Sequence, residues 1–305
     1  MDRDVTIARL KLLLRRDVAD LCRRHDRVWS EPIGQTLREI RKAKIRAVLF
    51  GGALRSLVLS RLRYGRLGRP RDLDIVIAGT NVGELADRFR SIVVRETRFG
   101  GLQLRRMNWH FDVWPLDRTW AFQRGGAKEA RFEALPSTTF FNLEAVAIDV
   151  WAKPGHAREI YSGDDQFFDG IISRTLEINL EENPFPSLCV VRALVMAEVT
   201  GFAIGPRLAR YLVVHGTTVF DADLEETQRR HYGQIRLDVR TMRDRLSRVA
   251  SEYARDGRSA IALPRQEQLT LWPEIGDEPP ALNVHVLVGD NRDHASSPFQ
   301  PMQKE

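Results

Sequence analysis

Two aspartates, Asp72 and Asp74, stand one residue apart where the apolar run 74–78 begins. In an extended strand residues i and i+2 leave the same side, so both carboxylates aim at one spot. Carboxylates held that close repel one another unless a cation lies between them. Magnesium is the natural cation, because it takes hard oxygen ligands and often pairs carboxylates with substrate phosphates. Manganese suits the same donors. A third acid, Asp112, lies in the alternating stretch HFDVWPL and faces away from Phe111 and Val113. Three such carboxylates can hold two magnesium ions, one activating an attacking hydroxyl and one bridging a triphosphate.

The pair Gly51-Gly52 ends another apolar run and opens a helix-like stretch, ALRSLVLSRL. A glycine turn at a helix N-terminus lets backbone N–H groups approach a phosphate closely. Arg55, just inside that stretch, adds a charge-assisted contact. Between the glycines and the aspartates lies a segment carrying Arg61, Arg63, Arg66, Arg69 and Arg71. Such a loop is expected to contact the phosphates of an RNA acceptor; its other reading is a flexible, solvated loop. His110 falls on the face of Asp112, where a partly buried polar residue is the plainer reading of it.

The elements that must position these residues follow from periodicity. Ile7, Leu10, Leu14, Val18 and Leu21 share one face of a helix over residues 1–25. A second helix, 34–43, leads into a strand at 45–50, and further strands are expected at 74–78, 144–152, 158–162 and 173–179. Residues 98–116 read as a hairpin. From residue 186 the pattern turns helical. Ile235, Val239, Met242, Leu246, Val249 and Tyr253 form a heptad seam, for packing inside the domain or for a dimer coil. The class is α+β, with an all-helical second part and a loosely ordered tail from about residue 256.

Bulk properties narrow the classes. The chain has 305 residues, and Lys plus Arg exceed Asp plus Glu by 47 to 41, a surplus compatible with a nucleic-acid or nucleotide partner. Only Cys22 and Cys189 are present, so no disulfide framework is possible and a reducing cytoplasm is expected. No apolar run suits a signal peptide or a membrane span. G-x-S-x-G, H-E-x-x-H and P-loop lysine motifs are absent.

Taken in order, these residues resemble the nucleotidyltransferase superfamily of DNA polymerase beta type. They are similar above all to the head and neck of bacterial CCA-adding enzymes and poly(A) polymerases, over roughly residues 45–215. FGGALRS matches the family's G-G-x-x-R-D, DLDIVIAG its D-x-D strand, and RFGGLQLRRMNWHFDVWPL its hairpin ending in an acid. FFNLEAVAIDV is similar to the N-A-x-A-x-D strand, with Asn142 at the Asn. YSGDDQFFDGIISRTLEI resembles a further family segment, and VVRALVMAEVTGFAIGPRLARYL the first neck helix and its follower.

The resemblance implies a mixed-sheet nucleotidyltransferase head over 34–180, preceded by a helical extension over 1–33. A helical neck and body over 181–256 and a flexible tail over 257–305 would follow. It implies metal ligation by Asp72, Asp74 and Asp112, and nucleotide contacts from Gly51, Gly52, Arg55, Asn142 and Arg192. The implied reaction moves a nucleoside monophosphate from an NTP to a hydroxyl, an RNA 3′ end first, with release of pyrophosphate. Transfer to a small molecule or protein hydroxyl is a second reading, and a silent RNA-binding module a third. The chain departs from the family at R-R-D-F, where it has Pro136-Ser137-Thr138-Thr139, and at the base-reading E-D-x-x-R. Phe185, Pro186 and Cys189 stand at those base-reading places, and little body follows the neck, so relaxed specificity or another acceptor is expected. Gln268-Leu269-Thr270-Leu271-Trp272 resembles a short peptide by which replication proteins dock on the sliding clamp.

Overall fold

The computed structural model describes residues 2–23, 31–97, 99–124 and 129–264. In chain order the elements are α1 (Arg3–Arg23), α2 (Glu31–Lys42), β1 (Arg46–Phe50), α3 (Gly52–Tyr64), β2 (Leu73–Ala78), α4 (Val82–Arg88), β3 (Val93–Glu96), β4 (Leu102–Arg106) and β5 (Trp109–Pro115). Then come α5 (Trp120–Gln123), β6 (Ala147–Asp149), β7 (Ile160–Tyr161), α6 (Gln166–Ser173), β8 (Thr175–Leu176), α7 (Pro186–Thr200), β9 (Ala203–Ile204), α8 (Pro206–Gly216), α9 (Asp221–Tyr232) and α10 (Val239–Arg255).

Seven strands form one sheet in the order β3-β4-β5-β2-β1-β6-β7. Every neighbouring pair is antiparallel except β2 and β5, which run parallel at its centre. Leu73, Ile75 and Ile77 project from one face of β2 into the main core. Val76 projects from the other into a smaller cluster with Val48, Phe50, Leu135 and Tyr161. Asp74 alternates with Ile75 and so shares the face of Val76.

The amphipathic face expected of the first helix is buried as a unit: Ile7, Leu10, Leu14, Val18 and Leu21 all join the main core. Full burial of one such side chain contributes about 1.5–3 kcal/mol. This helix packs on α3 and α6. Lys11 pairs with Asp165 at 2.8 Å, and Asp17, wholly buried, pairs with Arg61 at 2.7 Å.

Three strand expectations shrink. Within 144–152 only Ala147–Asp149 pairs; residues 142–144 form a short 3₁₀ turn instead. Within 158–162 only Ile160–Tyr161 pairs. Of 173–179 only Thr175–Leu176 is strand, and it pairs with β9 in a separate small sheet. Glu177 beyond it accepts N–H bonds from Arg207 and Leu208, capping α8, where a carboxylate suits the helix dipole.

The heptad seam serves the core. Met242, Leu246 and Val249 are buried, and α10 packs on α8. Gly216 permits the approach, since a Cβ there would lie 2.5 Å from Leu246 Cδ2. The helix starts at Val239 rather than Ile235, because Asp238 caps it by accepting the Thr241 N–H at 2.8 Å. Past Arg255 the chain packs back: Ile261 is buried and bridges Ile204. The rest of the expected tail, with Gln268–Trp272, lies outside the described residues. No described helix is long and apolar enough to cross a membrane.

Candidate active site

β2 and β5 pair in parallel with Asp74 opposite Asp112, while Phe50 lies opposite Asp74 on the β1 side. The two carboxylates therefore leave adjacent strands on one face, and Asp72, one residue before β2 begins, lies close enough for its charge to act on both. Burial, followed by the charges of Asp72, Asp112 and Glu144, pushes the Asp74 carboxyl well above the usual range. Asp112 is raised too, first by burial and then by Asp72, against a bond from Gln103.

Each flanking acid has a partner. Arg71 donates to Asp72 Oδ2 at 2.7 and 3.0 Å. Gln103 donates to Asp112 Oδ1 at 3.2 Å and accepts from Arg95 at 3.2 Å. Among the described residues no three His, Cys, Asp or Glu side chains are gathered closely enough to hold a metal ion. The donor set nevertheless fits one: hard oxygens, mutual repulsion, and partners on Asp72 and Asp112 that a stronger cation can replace.

Gly51 turns the chain from β1 into α3 at φ 68°, ψ −128°. A positive φ of this kind is glycine's domain. Its own N–H donates to Val146 O at 3.0 Å, so Gly51 shapes the turn rather than presenting a donor. A Cβ on Gly51 would lie 3.9 Å from Asp74 Oδ2, which sets the turn directly against the carboxylates. Leu54 and Arg55 donate their N–H groups back to Gly51 O at 3.1 and 3.4 Å, so the ladder of the helix begins after the amides of Gly52 and Ala53.

Sequence reasoning missed the next feature. Glu144 Oε1 accepts from Arg55 Nη1 at 2.8 Å and from Arg192 Nη2 at 2.5 Å. Burial alone would raise its carboxyl, but Arg192 and Arg55 hold it down at about 2. Two guanidiniums share one carboxylate, which leaves a net positive charge beside the start of α3. The other arm of Arg55 runs along the glycine turn, where a Cβ on Gly52 would meet its Nη2 at 3.5 Å. The available signal was a lone acid inside the apolar run FFNLEAVAIDV, since a buried acid needs a cation.

Other expected site residues are placed elsewhere. Asn142 is buried; its Oδ1 accepts from the N–H groups of Leu143 and Glu177, and its Nδ2 donates to Thr175 O. It ties the 3₁₀ turn to the segment before α7. Arg61 and Arg63 sit on the last turn of α3, not in a loop. Arg61 is held by Asp17, and Arg63 bonds the carbonyls of Val199 and Thr200. Arg69 donates to Asn108 O and lies 4.5 Å from the Trp109 ring centroid. Arg66 is exposed. The loop folds back on α3: Leu67 is buried, and a Cβ on Gly68 would lie 2.0 Å from Ser60 Oγ.

No known protein-family pattern and no curated protein sequence matches this chain. Solved structures do. The Thermotoga maritima CCA-adding enzyme complexed with tRNA matches at TM-score 0.52 and 15% identity, over 77% of this chain and 54% of that one. A CCA-adding enzyme in complex with ATP matches at TM-score 0.50 and 14% identity, over 73% and 52%. The fold is that of the CCA-adding enzymes. The chain spans about half the length of those structures. At the places the sequence resemblance singled out, α7 presents little polar edge. Pro186 is its first residue, Phe185 precedes it, and Cys189 is buried, its thiol pushed up to about 12 chiefly by burial.

Proposed function

We propose that this protein is a nucleotidyltransferase that moves a nucleoside monophosphate from an NTP to a hydroxyl acceptor, an RNA 3′ end. The observation that carries the reading is the pairing of Asp74 with Asp112, set against the Gly51 turn and the Arg55–Glu144–Arg192 cluster. Negative and positive subsites thus adjoin, as a metal-bound triphosphate requires.

Asp72 and Asp74 would hold magnesium or manganese, and Asp112 would complete the site. When bound, the metal neutralises phosphate charge and makes a hydroxyl a better nucleophile. Arg55, Arg192 and the first amides of α3 grip the triphosphate tail. The acceptor oxygen bonds to the α-phosphorus as the bond to pyrophosphate breaks. The hydroxyl proton leaves toward Asp112, the carboxylate on the strand beside Asp74. Of the five arginines, exposed Arg66 and Arg69 would meet acceptor phosphates, while Arg61 bonds Asp17, Arg63 bonds Val199 O and Arg71 bonds Asp72.

The test is incubation with magnesium or manganese, each labelled NTP in turn, and total cellular RNA, beside the D74N variant. Label entering RNA only with the unaltered protein supports the reading. Turnover undiminished in D74N rejects the site. A second reading, a binding module without turnover, is favoured by the partners already on Asp72 and Asp112. RNA binding with no incorporation under either metal would select it.

A further inference from the structure

A triphosphate anchored at the start of α3 leaves its nucleoside still to be placed, and the last turn of α9 offers a surface for it. Two guanidiniums approach the Tyr232 ring: Arg71 is 6.0 Å and Arg236 5.9 Å from its centroid. Arg71 also bonds Asp72, so a single side chain links the aromatic ring to the carboxylate cluster. The His231 ring stands edge-on to Tyr232, with centroids 4.5 Å apart. The helix ends there because Gly233 takes φ 74° and donates its N–H to Arg229 O. α9 packs on α7, the helix that carries Arg192. Tyr232 is half-buried, and its hydroxyl is shifted upward first by burial, against Arg192 and Arg71. The same two arginines, after burial, hold His231 neutral down to about 4.

We infer that Tyr232, with the guanidiniums of Arg71 and Arg236 near its ring, is the stacking platform for the base of the incoming nucleotide. This rests on the nucleotidyltransferase reading and adds how the base is held. An aromatic face beside guanidinium planes binds any base through its π-face, and alanine substitution at such platforms costs roughly 5- to 150-fold in affinity. Stacking without edge hydrogen bonds favours the larger purine surface over the pyrimidine and discriminates weakly within each class.

The experiment measures dissociation constants for ATP, CTP and inorganic tripolyphosphate in magnesium, for the unaltered protein and for Y232F, Y232L and R236A. Melting curves accompany each variant. ATP is expected to bind more tightly than CTP. Y232F keeps this affinity, because it keeps the ring. Y232L weakens ATP about tenfold and leaves tripolyphosphate unchanged. R236A, at an exposed position, weakens ATP about threefold by the same route, and stands in if Y232L does not fold. ATP binding unchanged in Y232L and R236A would overturn the inference and leave the transferase reading intact. So would equal losses for ATP and tripolyphosphate, since these would place Tyr232 at the phosphates. If the unaltered protein binds neither ligand, the transferase reading fails and the platform with it.

Discussion

Asp74 and Asp112 are direct partners across a parallel strand pair, so two acids share one face of the sheet with no lysine or arginine between them in the pairing. Both carboxyls ionise less readily folded than unfolded, Asp74 most of all, with burial the first cause. Folded values above the unfolded ones mean that the folded state binds more protons. Stability from these groups is therefore full below about pH 4 and falls as pH rises through the raised values. D74N is expected to raise Tm at pH 7 by about 2–4 °C. Manganese should raise the Tm of the unaltered protein and leave D74N nearly unmoved. A lower Tm for D74N with the metal response retained would contradict this.

Glu144 behaves in the opposite sense. Its carboxyl is held at about 2 by Arg192 and Arg55. Its contribution is complete above the ordinary glutamate range near pH 4.5 and is lost as pH falls toward 2. E144Q leaves two guanidiniums without their anion and is expected to cost about 3 kcal/mol in urea unfolding at pH 7. Added pyrophosphate should recover more stability in E144Q than in the unaltered protein, because an external anion then replaces the missing one.

Two arginines close in sequence should separate cleanly. R61A strands the buried Asp17 and is expected to lose about 3–4 kcal/mol. R66A changes an exposed residue and should stay within about 0.5 kcal/mol. In RNA titrations across salt, R66A should reduce the salt slope by about 1. A salt slope unmoved in R66A would remove this loop from the acceptor path.

The two glycines make a similar contrast. G51A forces a side chain onto φ 68°, ψ −128° and should cost about 1–3 kcal/mol. G52A meets only ordinary contacts, Arg55 Nη2 at 3.5 Å and Glu144 Oε1 at 3.8 Å. It should melt like the unaltered protein yet bind tripolyphosphate several-fold more weakly, because the added methyl crowds the approach to the amides. Calorimetric titration of both variants checks this.

Much of the scaffold could be read from residue patterns. The buried face of α1 and the face shared by Asp72 and Asp74 follow from periods of 3.6 and 2. The seam of α10 is equally plain, though its pattern alone does not separate packing against α8 from pairing with a second chain. Short apolar runs were harder. AVAIDVWA carries no alternation, so its three paired residues could not be told from its unpaired ones. SRTLEIN looked like one strand, but Glu177 turns its carboxylate to cap α8. Gly65 and Gly68 mark the arginine segment as a loop in sequence, while α3 continues to Tyr64 before Gly65 ends it at φ 64°.

The candidate site was legible in its carboxylates and obscure in its cations. Asp74 and Asp112 announce themselves by type and spacing within strands, and Asp72 by its place two residues before Asp74. The Arg55–Glu144–Arg192 cluster joins residues distant in sequence, and the platform at Tyr232 depends on α9 docking against α7. No local period encodes such meetings.

The lone parallel pairing at the sheet's centre also sets a timetable. A parallel pair cannot close through a tight turn, and its connection must cross over. Here the crossover between residues 74 and 112 contains α4, β3 and β4. A chain that has built β1, α3 and β2 already owns the glycine turn and two aspartates, yet it lacks the third until that excursion has folded and returned. Loop closure over such a span slows folding. The three acids thus come together only after that excursion has folded, and until then the Gly51 turn lies against Asp74 without Asp112 beside it.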